Sequence, residues 1–358
     1  MSTNKRTDNP WNGKISHHSQ IGGIETSTVD NGPARGNRIA WVNTGTGLRY
    51  KVVIDRGMDI VDAFYNQHSL AWLSHGGNMS PESYAYKGID WLKTFSGGLM
   101  TTCGLTHVGG PEVDEFGERG LHDQISNIPA DLESVIQPDP IHGKLEMSIS
   151  GEMKQTQVFG SRLDFKRKIS GELGSSIIKV TDQVINSGNE PAPHMILYHL
   201  NFGWPLIDEG AKILWKGKCE SRGRAMDDYL FSPGMDYKTC KGPLEAHNGT
   251  GEACGFIDPE ADKDGIVHCG VFNPKIDLGL AIRFKKDQMP WITNWQHWGK
   301  NEYVTAIEPG THPPIGQSEA RKEGSLIFLE PGEHRVYELE LEVLSNREKI
   351  NQLITKTE

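Results

Sequence analysis

The sequence predicts an all-β protein, a large antiparallel β-sandwich with few short helices. Its 358 residues include 41 glycines against an apolar fraction of 36%, a composition that suits many short strands joined by turns. Between residues 143 and 187, apolar and polar side chains alternate in three segments separated by glycine-containing breaks. That alternation is typical of an antiparallel meander. Only the C-terminal segment SNREKINQLITKTE carries a clear helical pattern, with Ser345 as its cap and Ile350, Leu353 and Ile354 on one face, so the helices should be few.

Strand signals begin at Ile21, after residues 1–20, which we expect to form a flexible N-terminal lead. Residues 60–73 predict a hairpin, whereas residues 74–131 are rich in Gly, Pro and His and are too long for a plain connection. Within that stretch a helix is predicted from Ser80 onward. We expect one domain over residues 21–358, because no linker or repeat divides it. A strand is predicted in the stretch 193–206, and further strands at 212–218, 252–257, 266–272, 278–284, 290–298, 303–308, 324–329 and 335–343.

Charge and cysteine content restrict the kinds of binding partner and the cellular compartment that we expect. The formal net charge is −10, from 47 acidic and 37 basic residues, which argues against nucleic acid or an anionic membrane as a partner. Neither an apolar signal segment nor an apolar run long enough to span a bilayer is visible. The five scattered cysteines are an odd number without a CxxC pair, as expected for free thiols in a reducing compartment. We therefore expect a cytoplasmic protein, either monomer or homodimer.

The segment PHMILYHLNFGWPL, residues 193–206, carries the first candidate site. Side chains alternate between the two faces of a strand. His199 and Asn201 then lie on the face opposite the apolar row of Ile196, Tyr198, Leu200 and Phe202. A lone histidine is more often structural, but a second candidate, Glu308, lies at the end of a later predicted strand. Its face is otherwise apolar, and desolvation there should raise the pKa of the carboxyl towards neutrality, as a general base requires.

Further candidates lie in loops and in a tryptophan-rich strand. His107 and His122 occupy glycine-rich segments whose backbone can approach a ligand closely. Arg56 follows a predicted strand, where a surface ion pair with Asp55 is the simpler interpretation. Trp295 offers an aromatic face that suits the C–H face of a sugar, although buried core tryptophans are commoner. The sequence has no P-loop, GxGxxG, GxSxG or HExxH motif. Phosphoryl transfer, dinucleotide chemistry and serine hydrolysis therefore lack local support.

Five motifs follow one another along most of the chain, namely DRGMDI at 55–60, GGLMTTCGL at 97–105, GLHDQISNIPA at 120–130, YHLNFG at 198–203 and EPG at 308–310. In this set and order the chain resembles the aldose 1-epimerase (galactose mutarotase-like) superfamily. The resemblance implies a supersandwich fold whose concave face binds a free sugar. It also implies an isomerase that interconverts sugar anomers with no metal or cofactor.

The resemblance assigns roles to individual residues. His199 would protonate the ring oxygen, and Glu308 would remove the proton of the anomeric hydroxyl. His122 and Arg56 would bind the sugar, with Asn201, His107, Asp123 and Trp295 as further substrate-binding candidates. We expect His199 and Glu308 to face each other across a cleft without touching. His199 should be protonated when it acts, since an unperturbed histidine pKa lies near 6.5.

Two alternatives remain open on the sequence alone. One is epimerisation or isomerisation of an unusual sugar or sugar acid on the same scaffold. That reaction could be assisted by a metal held by His107, His122, His199 and Glu308. The other is a carbohydrate-binding protein without turnover. Retention of both His199 and Glu308 argues against it, because binding alone needs no matched acid and base.

Overall fold

The computed structural model describes residues 10–85 and 87–358, and strands dominate it. Within this part of the chain, every pairing between strands is antiparallel, as predicted. In chain order the strands are β1 Gly23–Thr28, β2 Arg38–Asn43, β3 Leu48–Val53, β4 Asp59–Tyr65, β5 His68–Ser69, β6 Thr101–Leu105, β7 Glu112–Asp114, β8 Gly117–Arg119, β9 Asp131–Ile136, β10 Glu146–Thr156, β11 Arg162–Glu172, β12 Ile177–Asn186, β13 Ala192–Phe202, β14 Lys212–Trp215, β15 Gly217–Ser221, β16 Ala253–Pro259, β17 Ile266–Asn273, β18 Leu278–Lys285, β19 Trp291–Gly299, β20 Glu302–Gly310, β21 Ile327–Leu329 and β22 His334–Leu344.

Three large sheets organise these strands. The first runs β1-β2-β3-β4-β5, and an eight-stranded sheet runs β14-β17-β18-β22-β12-β11-β10-β9. The third runs β15-β16-β19-β20-β13-β21, and β6 also pairs with β13. One apolar cluster joins all three, since it contains Tyr50 of β3, Val180 of β12 and Ile196 of β13. The predicted all-β antiparallel sandwich is therefore confirmed.

The helices are short and lie outside the sheets. They are α1 Trp91–Thr94, α2 Ala225–Leu230, α3 Gln317–Lys322 and α4 Arg347–Thr357, with single 3₁₀ turns at His18–Gln20, Ile125–Asn127, Pro140–His142 and Glu245–His247. The predicted helix from Ser80 is wrong, because the Ser80 hydroxyl and amide both donate to the Pro33 carbonyl. Only its last turn, α1, is helical.

The predictions for the two ends of the chain differ in outcome. Residues 1–9 of the predicted flexible lead lie outside the described residues, and residues 10–20 contain a turn and a capped 3₁₀ turn. At the other end α4 packs Ile350, Leu353 and Ile354 against the sheet, as the spacing predicts. Its N-cap is Asn346 and not Ser345, because the Asn346 side chain accepts from the Glu348 amide.

A buried ionic cluster ties the three sheets together. Arg167 of β11, which is 1% exposed, donates to both carboxylate oxygens of Asp182 at 2.9 and 2.6 Å. The same guanidinium reaches Asp59 of β4 at 3.1 Å, and Tyr198 of β13 donates to Asp182 at 2.7 Å. Burial raises the pKa of Asp59 to about 6, against the opposing charge of Arg167. The Tyr198 hydroxyl therefore links β13 to an ionic cluster whose other members lie in the two other sheets.

Strand β13 lies inside its sheet and carries the candidate site. It pairs with β6 on one side, where His199 lies opposite Thr101, and with β20 on the other. Tyr198, Leu200 and Phe202 join the main apolar cluster, so alternation turns His199 and Asn201 to the other face, as predicted. The strand ends at Gly203, where a Cβ would lie 2.8 Å from the Trp72 Cα. Only glycine admits this close approach.

Candidate catalytic site

His199 and Glu308 are neighbours across two adjacent strands. In the ladder between β13 and β20, Leu200 lies opposite Ile307 and Leu197 lies opposite Gly310, a register that sets His199 against Glu308. Directly opposed residues bring their side chains within contact distance, and His199 Nε2 lies 3.3 Å from Glu308 Oε1. The expectation that the two residues face each other across a cleft without touching is therefore wrong, because both stand on one sheet.

The pair is buried, and its polar atoms are incompletely satisfied. His199 and Glu308 are 6% and 3% exposed. Within the described part of the chain, His199 Nδ1 and Glu308 Oε1 have no hydrogen-bond partner, and neither does the Oδ1 atom of Asn201. Buried polar atoms are nearly always hydrogen-bonded in native proteins. A cluster of exceptions on one sheet face therefore indicates a place where a polar ligand supplies the missing partners.

Burial pushes the pKa values of the two groups apart. It raises the pKa of Glu308 well above its usual value; the charge of Glu252 adds to this, and Arg222 opposes it. Burial lowers the pKa of His199 to about 3, against a smaller opposing effect of Asn201. Both shifts favour the uncharged pair, in which Glu308 carries the proton and His199 is neutral. The expectation of a separately protonated His199 is corrected accordingly.

His122 lies beside this pair, as the resemblance implies. Its ring centroid is 6.3 Å from that of His199 with the planes perpendicular, and 4.9 Å from that of Trp91. Burial lowers its pKa well below the usual value, so the ring is neutral, and Nδ1 is another atom without a partner among the described residues. The backbone at His122 and Asp123 is left-handed, with φ of 56° and 58°. Such strain in two consecutive non-glycine residues is typical of functional sites.

Aromatic rings wall the space around the pair. Phe95 lies 5.3 Å from the His199 ring, and Trp295 of β19 lies 5.4 Å from it on a T-shaped contact. Trp72 in turn makes an edge contact of 6.3 Å with Trp295. Both tryptophans remain partly exposed, so their faces are open to a ligand. Apolar rings beside unsatisfied polar atoms are the combination that small polar ligands with C–H faces require.

Glu252 fixes the orientation of Trp295 and charges the site. Its carboxylate accepts from the Trp295 indole at 2.7 Å and from Arg222 at 2.6 Å. Arg222 is also held by both oxygens of Asp227, at 2.8 and 2.9 Å. Arg222, the guanidinium that opposes the raised pKa of Glu308, is thus already paired with two carboxylates. This arrangement leaves the site without excess positive charge.

The sequence of the chain matches the model of one protein family over most of its length. Residues 34–343 match the family model described as "Domain of unknown function (DUF4432)". The chain belongs to this family. Among proteins with curated descriptions, none matches the sequence.

Solved structures show the same fold as this DUF4432 chain. A Klebsiella pneumoniae protein, provisionally named as an aldose 1-epimerase, superposes with a TM-score of 0.83 and 24% identity over 93% of this chain and 86% of its own. A galactose mutarotase-like protein from Clostridium acetobutylicum gives 0.61 and 13%, over 91% and 99% of the two chains. Galactose 1-epimerase from Lactobacillus acidophilus gives 0.57 and 10%, over 90% and 98%. At these identities the likeness establishes the fold, which is that of the aldose 1-epimerase and mutarotase-like proteins.

Arg56 supports the site of the DUF4432 chain from behind. It is buried, and its guanidinium donates to Asn127 Oδ1 and the Thr94 carbonyl at 2.9 Å each, and to the Ser80 carbonyl at 3.3 Å. Burial lowers its pKa to about 10. Thr94 directly precedes Phe95, which contacts His199. Arg56 therefore positions the aromatic wall. Among the described residues, its guanidinium contacts neither His199 nor His122.

His107 and Asp123 are each held by hydrogen bonds to the protein, although His107 lies close enough to His122 to lower the pKa of that ring. His107 Nε2 faces the Gly110 carbonyl at 2.8 Å, while Nδ1 accepts from the Gln317 amide at 3.1 Å, so both nitrogens serve loop structure. Asp123 accepts three hydrogen bonds, from Thr106 twice and from Gln155. It lines a different cleft of ≈ 970 Å³, whose lining includes neither His199 nor Glu308. A substrate-binding role for either residue stays a prediction.

The alternative metal set is not assembled. Within residues 10–85 and 87–358, no group of three His, Cys, Asp or Glu side chains is placed to hold a metal ion. His107, one of the four proposed ligands, uses both nitrogens elsewhere. All five cysteines are free thiols, four of them buried, as predicted. No helix within the described residues is long and apolar enough to span a lipid bilayer.

Sequence reasoning missed several residues of the site. Thr293 of β19 lies opposite Glu308. It lies two residues before Trp295 and so on the same face of the strand, a signal that could have revealed it. Glu252 and Arg222 lie in irregular segments that carry no periodic signal. Trp91 and Phe95 come from the long stretch at 74–131, and Trp72 lies just before it; only the fold determines which of these side chains reach β13.

Proposed function

We propose that this protein is an aldose 1-epimerase-like isomerase that interconverts the anomers of a free sugar by proton exchange with His199 and Glu308. The observation that carries the proposal is a buried His199–Glu308 pair in close contact, with unpartnered atoms on both residues. Ordinary packing does not require such an arrangement, whereas acid–base catalysis does. The proposal includes a cytoplasmic enzyme, monomer or homodimer, whose partner is a small carbohydrate.

Direct contact between the two groups suits this reaction. Ring opening removes the proton from the anomeric hydroxyl O1, forms the C1=O bond, breaks the C1–O5 bond and delivers a proton to O5. Because O1 and O5 are both bonded to C1, the base and the acid need not stand on opposite sides of the ring. In the pair, one group accepts the proton as the other donates one. After rotation about C1–C2, the reverse transfers close the ring as the other anomer.

The neighbouring residues have defined roles in this scheme. The neutral His122 ring offers Nδ1 to a sugar hydroxyl, and Trp295 and Trp72 flank the C–H faces of the ring. Burial excludes water and strengthens electrostatic interactions inside the site. Arg222, whose charge acts on Glu308, is already paired with the carboxylates of Asp227 and Glu252. This favours a neutral sugar over a sugar acid.

The pH profile should reflect the proton on Glu308. With the pKa of Glu308 raised and that of His199 lowered to about 3, the singly protonated pair persists through neutral and weakly acidic pH. We expect kcat/KM to fall on the alkaline side as Glu308 loses its proton, and on the acid side only as the pH approaches about 3, where His199 becomes protonated. An acid limb near pH 6.5, the value of an ordinary histidine, would contradict the proton assignment.

The function itself is tested by screening free sugars. Freshly dissolved single anomers of a set of aldoses would be followed by polarimetry or ¹H NMR with and without the protein. We expect at least one aldose to equilibrate faster with protein, and its methyl glycoside, which cannot ring-open, to remain unchanged. Binding without faster exchange for any sugar would overturn the proposal in favour of a carbohydrate-binding protein.

A further inference from the structure

We propose that the catalytic cleft extends along β19 to a second saccharide subsite, formed by His297, Glu302 and the faces of Trp72 and Trp295. The substrate would then be a reducing disaccharide or a longer saccharide. This inference rests on the proposed function for the identity of the first subsite. It adds a second group of side chains, which neither the sequence motifs nor the His199–Glu308 pair accounts for.

Unsatisfied buried atoms occur at two levels of β19. At the first level, Thr293 lies opposite Glu308, and its Oγ1 has no partner in the described chain. At the second level, Nε2 of His297 and Nε2 of His247 are likewise without hydrogen-bond partners among the described residues. His247 Nδ1 accepts from the Trp298 amide at 2.9 Å, so its Nε2 carries a proton that is not used. Both histidine residues are more than nine-tenths buried.

The distance between the levels exceeds one sugar ring. Four residues separate Thr293 from His297 along the strand, which corresponds to about 13 Å at the usual rise per residue. Strand alternation places both on the face of the sheet that carries Glu308. A single pyranose bound at the pair cannot also satisfy the second level. Two linked rings can.

Trp295 joins the two levels with a continuous aromatic surface. Its ring makes a T-shaped contact with His199 and stacks on His297, with centroids 6.2 Å apart and planes 19° from parallel. Trp72 makes an edge contact with Trp295 and extends this aromatic surface. Aromatic faces bind the C–H surfaces of sugar rings through burial and geometry. The surface therefore leads from the reacting carbon towards the second level.

Glu302 supplies the polar group at the outer end. Its carboxylate lies 3.3 Å from His75 Nε2 and 3.6 Å from His297 Nε2, and its side chain is 38% exposed. A carboxylate held between two imidazoles can accept from sugar hydroxyls while the rings donate or accept. A Cβ at Gly299 would lie 2.6 Å from His297 Nε2 and 3.0 Å from the His247 carbonyl oxygen. A side chain there would fill the space beside this nitrogen.

The chemistry of reducing disaccharides fits this layout. Their free anomeric carbon lies on one ring, and in 4-linked sugars the second ring is attached at the opposite side of that ring. With C1 at His199 and Glu308, the second ring extends away from the pair. The direction available along the cleft is past Trp295 towards His297. The non-reducing ring then meets the second group of unsatisfied atoms.

Binding measurements on a catalytically inactive background test the subsite. In the Glu308→Gln protein, isothermal titration calorimetry would compare glucose with cellobiose, maltose and lactose, all of which have glucose at the reducing end. We expect at least one disaccharide to bind about tenfold or more tightly than glucose, since the second ring adds stacking and hydrogen bonds. Adding Glu302→Ala or His297→Ala should abolish this preference. Adding Glu260→Ala, an exposed glutamate outside the cleft, should preserve it.

The outcomes separate this inference from the proposed function. If no disaccharide binds more tightly than glucose, or if the preference survives both Glu302→Ala and His297→Ala, the subsite is overturned. Exchange of glucose anomers by the wild type would still support the function in that case. Preferential disaccharide binding without anomer exchange would support the subsite and overturn the function. Failure of all four sugars to bind would overturn the subsite as well.

Discussion

Replacing Glu308 with glutamine is expected to lower the rate of anomer exchange by about 10²–10⁴-fold, the usual contribution of a positioned acid–base group. The substitution keeps the shape of the side chain but removes the group that carries the proton. Sugar binding should survive, because the lost interaction belongs to the transition state and not to the bound sugar. Exchange rates by NMR and affinities by calorimetry would separate the two effects.

Glu302→Gln is the matched control for this experiment. Glu302 lies on the same strand, β20, but at the outer end of the cleft. With a monosaccharide as substrate, Glu302→Gln should lower the rate of anomer exchange far less than Glu308→Gln does. Full exchange activity in Glu308→Gln would contradict the proposed chemistry. A loss of binding with no loss of kcat would favour a binding role for the carboxylate.

Replacing Arg167 with leucine is expected to lower the free energy of unfolding by about 3–5 kcal/mol, because it leaves Asp182 and Asp59 buried without their cation. The guanidinium is fully buried and contacts both carboxylates. Since proteins are stable by only about 5–15 kcal/mol in total, the variant should unfold at much lower denaturant concentration. Equilibrium unfolding in urea, followed by circular dichroism, measures the loss.

Lys168→Leu provides the comparison on the next residue of β11. Lys168 is half-exposed and pairs with Glu146 at 3.1 Å on the surface. Surface pairs of this kind contribute about 0–1 kcal/mol, so this variant should unfold close to the wild type. Equal losses in the two variants would show that the buried cluster does not join the three sheets as described.

The strands were predictable because each alternates over one buried face. The meander at 143–187 became β10, β11 and β12, and the apolar row on β13 faces the core as its spacing predicts. The helix at Ser80 failed because a serine before proline can cap a helix or bind elsewhere. Its hydroxyl bonds Pro33, which is remote in sequence. Likewise, Asn346 replaces Ser345 as the cap, a shift of one residue that propensity cannot resolve.

The site was predictable only in part, for reasons of register. Sequence alternation identified the faces of His199 and Glu308, but it could not show that β13 and β20 are adjacent. Their contact follows from that adjacency. His107 resembled His122 in sequence, since both lie in glycine-rich loops, yet its two nitrogens are bound to backbone. Glu252 and Arg222 could not be found because ionic partners in irregular segments leave no periodic trace.

The most direct measurement is a double-mutant cycle on the pair, with anomer exchange rates for wild type, His199→Asn, Glu308→Gln and the double variant. Because one group donates a proton while the other accepts one, each single substitution should cost nearly as much as both together, as for catalytic residues that act as a unit. Losses that multiply would show two independent contributions. That result, or a single variant with wild-type exchange, would contradict catalysis by a His199–Glu308 pair.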